Sequence, residues 1–223
     1  MNNEITIDGV VYIRKDACSC PFVKTKETKN VDKKYGFTGK TLNYNGHILH
    51  RIVALKDFSN VKKGDIGGWI ENETNLSQEG DCWVYGNAKV YLNAKVLGNA
   101  FVSGYARVFE NATVYENAKV YGNAEVHNHA KVHGNAKIWE NALVCGCAEV
   151  YDDARVFTDA WVCGDAKVFG NTVVSGNAKV YGNTQVYGDT WVGGDVEVCA
   201  NIALSGKTVL NGKAVVRDIR KNA

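Results

Sequence analysis

An aliphatic residue stands at every sixth position from Val84 to Val216, running through Val90, Val96 and Val102 to Val198, Leu204 and Leu210 without an insertion or deletion. Four residues after each aliphatic comes a small side chain, as in Ala88, Ala94, Ala100 and Ala106, with Thr172, Thr184, Thr190, Val196 and Ile202 among the later substitutes. The two positions share a parity, so on an extended chain both point to one side, while the polar or aromatic residues flanking the aliphatic point to the other. Pairs such as Gly86-Asn87, Gly98-Asn99 and Gly134-Asn135 separate the short strands and accept the left-handed backbone of a corner. Leu92, Glu110, Glu116 and Glu140 replace the glycine while Asn or Asp mostly persists, which marks the second place of the pair as the more demanding one. Strand and corner alternating three times make a triangular coil of eighteen residues. So short a unit cannot bury a core alone, so coils must stack about 4.8 Å apart, into a prism about 37 Å long.

The rhythm begins early. Ile70 and Leu76 are six apart and Val84 follows Leu76 by eight, which predicts one two-residue insertion around Gln78 to Asp81 and a main body over residues 65–217. Residues 1–64 read as a small N-terminal β-hairpin region with a linker. Asp8-Gly9 turns between Ile5–Ile7 and Val10–Ile13, Lys24 to Lys34 is polar and lysine-rich, and Asn45-Gly46 turns a second hairpin over Thr41–Leu55. This region is placed to cover the open end of the prism. Residues 218–223 form a charged C-terminal tail.

Composition narrows the class. With 23 Gly and 1 Pro in 223 residues the chain suits a turn-rich all-β fold, and a net charge of +2 argues against dedicated DNA or RNA binding. The polar, acidic start is unlike a signal peptide, and no apolar run approaches the roughly 18 residues of a membrane span. The 7 cysteines read as mostly free thiols in a reducing cytoplasm. Cys18-Ser19-Cys20 is half a metal knuckle without a second Cys/His pair at zinc-finger spacing.

The hexad, aliphatic at one place and small four residues later, resembles the hexapeptide-repeat superfamily over residues 65–216. Parallel crossovers are right-handed in about 98% of cases, but the resemblance implies a left-handed parallel β-helix, and that is the fold expected. Ala54-Leu55-Lys56-Asp57-Phe58, Gly64 to Ile70 and Asn75-Leu76-Ser77 followed by the V-Y-G-N-A repeats resemble phage- and prophage-encoded members of unsettled function. The superfamily implies an acyltransferase alternative, with a histidine base, usually beside a loop that interrupts the coils, and acyl-CoA or acyl-carrier protein between subunits of a trimer. His127 and His133 would be the candidates, with His129 between them, although no loop interrupts the coils here and a solvated or interface role competes. The superfamily also includes zinc enzymes. His127, Cys145 and Cys163 are spaced by eighteen, but a straight column does not converge on a tetrahedron, so no metal or cofactor is expected. Cys145 and Cys163, about 4.8 Å apart by coil spacing, can bridge on oxidation.

Outward positions after the aliphatic are often aromatic and those before it often basic. Lys119/Tyr121, Lys137/Trp139 and Arg155/Phe157 fall on three successive coils of one face. Such a strip fits a site where a base or sugar stacks and a phosphate is neutralised, a subunit interface, or cross-strand ladders that only stabilise the sheet. The reading adopted is a cytoplasmic homo-oligomer, a trimer in the first instance. It binds and sequesters a small anionic ligand such as a nucleotide signal, without catalysis; acyl transfer and a structural or virion spacer are the alternatives.

Overall fold

The computed structural model describes residues 4–7, 10–13, 23–24 and 33–217. The chain divides into two units, residues 1–33 and 34–223. In the first, β1 (Glu4–Ile7), β2 (Val10–Ile13) and β3 (Val23–Lys24) form an antiparallel sheet in that order. Ile7 opposes Val10, as expected of a tight hairpin. The Asp8-Gly9 turn, Cys18-Ser19-Cys20, most of the lysine-rich linker and the 218–223 tail lie outside the described residues.

The second unit is a parallel β-solenoid of about eight coils. After β4 (Tyr35–Tyr44), β5 (His47–Ala54) and β6 (Ile66–Ile70), a two-residue strand recurs every sixth residue, from β7 (Trp83–Val84) to β29 (Val215–Val216). Each pairs in parallel with the strand eighteen residues away, so Val84 lies over Val102 and Val102 over Val120. Three sheets result, a first through Val84, a second through Val90 and a third through Val96. The aliphatic residues at every sixth position from Val84 to Val198 and the alanines from Ala88 to Ala178 fill the interior with no exposure. Ile70 pairs with Val90 and Leu76 with Val96, twenty residues apart instead of eighteen. The early rhythm and its two-residue insertion are both present.

The corners differ from the expectation in one respect. The positive φ belongs to the first place of each pair, as at Gly86, Leu92, Glu110, Glu116 and Glu140. Asparagine persists at the second place for another reason: Asn99 Nδ2 donates to Asn117 Oδ1 at 3.1 Å, Asn117 to Asn135 at 3.3 Å and Asn135 to Asp153 at 3.2 Å. Some acidic and amide corners cap the next coil. Glu116 Oε2 accepts the Gly134 N–H at 2.8 Å and Asn128 Oδ1 the Gly146 N–H at 3.1 Å. The coil beneath Gly134 leaves no such room, because a Cβ there would lie 2.6 Å from the Asp152 backbone nitrogen.

The second hairpin turns at Asn45 (φ 51) and Gly46 (φ 85), and β5 pairs with β6, so the hairpin extends the second sheet. It also closes the first coil. The carbonyls facing the open end have no earlier coil to pair with, and an unpaired buried carbonyl is costly. Lys34 Nζ, 1% exposed as a residue, donates to Gly80 O at 3.0 Å and Cys82 O at 2.9 Å, and Tyr35 Oη donates to Leu76 O at 2.7 Å. Burial holds the Lys34 ammonium below the usual lysine range.

Tyr91, 5% exposed, meets Tyr44 edge-on at 5.9 Å where the hairpin joins the coils. Burial lifts its phenol from 10.0 to about 12. The unfolded chain releases this proton first, so the associated stability is present below pH 10 and lost as pH rises toward 12. That loss is on the order of 2 kcal/mol. Tyr91→Phe should remove this share of the alkaline destabilisation, read as a smaller drop in urea midpoint between pH 9 and pH 11.5 than in the parent.

Candidate ligand-binding faces

Parallel pairing in register sets each outward side chain over the one eighteen residues on. A spacing of about 4.8 Å suits offset ring stacking. On the third sheet Tyr115, His133, Tyr151, Phe169 and Tyr187 stack at 4.6, 5.0, 4.8 and 4.9 Å with their planes within 10°. On the second sheet Tyr91, Phe109 and His127 stack at 5.1 and 4.7 Å. On the first, Tyr121, Trp139 and Phe157 stack at 5.7 and 4.3 Å. The expected residues Lys119, Tyr121, Lys137, Trp139, Arg155 and Phe157 therefore come together on successive strands. Their rings face each other, so a molecule on this face meets ring edges except where the stack ends.

The charged column beside these rings sets the first sheet apart. On the second sheet Arg107 pairs with Glu125, and Lys179 Nζ lies 3.4 Å from Glu197. On the third, Lys167 Nζ lies 3.4 Å from Glu149. On the first, Lys119 lies over Lys137 and Lys137 over Arg155, and among the described residues no carboxylate reaches them within ion-pair distance. Lys119 instead covers the Phe101 ring at 5.8 Å. Like charges directly opposite one another destabilise a sheet. Burial raises the neighbouring Tyr121 phenol, helped by Glu140 and opposed by Arg155.

Two concavities interrupt the stacks. One, of about 420 Å³, is lined by Asn60, Tyr85, Phe101, Ser103, Lys119 and Tyr121, at the upper end of the cationic column. The other, of about 460 Å³, lies on the second sheet among Trp161, Cys163, Lys179, Tyr181 and Glu197. It opens where two sulfur side chains replace rings. Cys145 and Cys163 are joined as a disulfide, with Cα atoms 4.7 Å apart, so the bridge their spacing allows is formed. Cys82, Cys147 and Cys199 are free. The cross-link denies both sulfurs to a metal, and among the described residues no three His, Cys, Asp or Glu side chains converge on a metal position.

The histidines are not equivalent. His133 Nδ1 lies 3.7 Å from Glu116 and its Nε2 3.3 Å from Glu149, so both ring nitrogens face carboxylates. His127 has Nδ1 buried 3.7 Å from Glu110, beyond hydrogen-bond range. His129 sits at a corner, 3.3 Å from Asn111. Sequence reasoning missed Glu110 behind His127, Asn60 and Ser103 in the cavity, and the unpaired state of the cations. Asn60 comes from a segment before the hexads whose meeting with Tyr85 no hexad count reveals; Glu110, Ser103 and the unpaired cations needed the side-chain geometry of their columns.

Parallel coils of eighteen residues with valine and alanine columns are consistent with the hexapeptide-repeat superfamily. A stretch of 38 residues is 53% identical to the protein named Uncharacterized acetyltransferase YdcK from Escherichia coli (strain K12), and the match covers 17% of this chain and 12% of that protein. No family model matches the chain. No helix among the described residues is long and apolar enough to cross a membrane.

Cutting the Cys145–Cys163 bridge frees a link across one coil, worth about 3 kcal/mol in the chain-entropy view. Reductant, or Cys145→Ser with Cys163→Ser, should lower the thermal midpoint, and the double variant should show no further response to reductant.

Proposed function

We propose that the first-sheet face binds a small anionic ligand through Lys119, Lys137 and Arg155 and that the chain acts by holding it. The observation that supports this is the run of three unneutralised cations on adjacent strands, where both other sheets place carboxylates in the equivalent column. A sheet selected for stability alone gains by interleaving acids, as those sheets do. Trp139 and Phe157 supply apolar edges beside the charges. The finer form, sequestration of a nucleotide signal as a phage-encoded counter-defence, rests on the phage resemblance. Self-association into a trimer would set a second prism beside this face.

Titration calorimetry with pyrophosphate and with nucleoside monophosphates tests the face. Binding should weaken with rising salt and fall at least tenfold in Lys137→Glu. That same substitution should raise the stability of the free protein by about 0.5 kcal/mol, since it places an acid between two cations. Absence of binding, or binding indifferent to Lys137→Glu, removes the proposal. Trp139→Ala with Arg155→Ala is the companion variant.

Acyl transfer is the second reading, favoured by the name of the matched relative and by His127. Its ring is fixed by stacking on Phe109, and the Glu110 carboxylate lies 3.7 Å from its Nδ1, near enough to favour an imidazole that takes up a proton. It predicts steady release of free CoA from acetyl-CoA with an amine or hydroxyl acceptor, abolished in His127→Ala and little changed in His133→Ala. Turnover that survives His127→Ala excludes that residue.

A further inference from the structure

The first-sheet column after the inner valine reads Tyr85, Ser103, Tyr121, Trp139, Phe157, Ser175, Gly193. The lower three rings form a continuous stack, and Tyr85 stands two coils above Tyr121 with only Ser103 between them. Two coil spacings are about 9.6 Å, twice the distance between neighbours in the stack. One ring is missing from the ladder, and the cavity of about 420 Å³ lies there.

The protein closes a similar gap elsewhere. Below Phe157 the small residues Ser175 and Gly193 are covered by Trp191, whose indole Nε1 donates to Ser175 Oγ at 3.0 Å. Among the described residues no ring covers Ser103 in this way. Phe101 leans on Tyr85 at 5.7 Å and 44°, forming a side wall, and among the described residues Tyr121 stacks on Trp139 alone. Polar groups are fixed around the rim. Tyr85 Oη donates to Asn60 Oδ1 at 2.9 Å, and Lys119 sits 5.8 Å over the Phe101 ring.

We propose that the Ser103 position receives one planar aromatic ring of the ligand, seated on Tyr121 as the missing member of the stack, with Ser103 Oγ and Asn60 at its edge. This rests on the anion-binding reading and sharpens it: the ligand is an aromatic ring carrying an acidic group, its charge lying along Lys119 and Lys137. A nucleoside monophosphate has that chemistry. The ring adds stacking on Tyr121, and the phosphate meets the cations that have no carboxylate.

The test compares adenosine 5′-monophosphate with ribose 5-phosphate, which keeps the phosphate and lacks the ring, on the full chain by calorimetry. The expected result is at least tenfold tighter binding of the nucleotide. Ser103→Phe, which supplies the absent ring from the protein, should erase that preference, so that the two phosphates bind alike. Tyr121→Ala, which removes the platform, should erase it as well and serves if the first variant folds poorly. Equal affinity of the two phosphates for the parent protein, or a preference that survives both variants, overturns the ring site. Ribose 5-phosphate binding that is lost in Lys137→Glu would then still uphold the cationic face. If neither compound binds, both readings fall.

Discussion

The backbone ladder between coils is the constraint on which the rest depends. Trp83 N–H donates to Ala100 O at 3.1 Å and Lys119 N–H to Ala136 O at 2.9 Å, and the pattern repeats to Cys199 and Val216. A strand of two residues has no stability alone, so a change in coil length has to be taken up between strands, as the two extra residues near Gln78 are, with Leu76 still paired to Val96. Once the length is held at eighteen, every residue acquires a neighbour of predetermined position. Inside, this demands valine over valine and alanine over alanine. Outside, it demands only that residues about 4.8 Å apart tolerate one another.

That tolerance makes exceptions informative. Most outer columns resolve into self-satisfying series: stacked rings, amide ladders ending on a carboxylate, and alternating charges. Of the places that do not, three stand out. The cations from Lys119 to Arg155 repel, the stack between Tyr85 and Tyr121 lacks a ring, and on the second sheet a disulfide stands where rings would continue. The first two adjoin on one face.

Much of this was legible from residue spacing. Six-residue recurrence fixes the interior, the eighteen-residue coil, the insertion near Gln78 and the residues sharing the Lys119 face, because each depends on local periodicity alone. The Lys34 cap was not legible, since its meaning comes from Gly80 and Cys82, more than forty residues on and joined to it by folding of the hairpin. The aromatic columns were legible as columns from the eighteen-residue spacing, but the face-to-face stacking of their rings needed the ring planes. Asparagine at the corners was misassigned to backbone conformation because Asn serves both purposes, and only the contact of Asn99 with Asn117 separates them.

The charged and covalent pairs of the outer surface have a consequence for how the chain finds its structure. Near-identical hexads can mispair by a whole coil with little damage to the interior, since one valine replaces another. A slip of that kind would separate Arg107 from Glu125, Lys179 from Glu197 and Cys145 from Cys163. The interior thus supplies cohesion without an address, and the irregular exterior tells each coil which neighbour is its own.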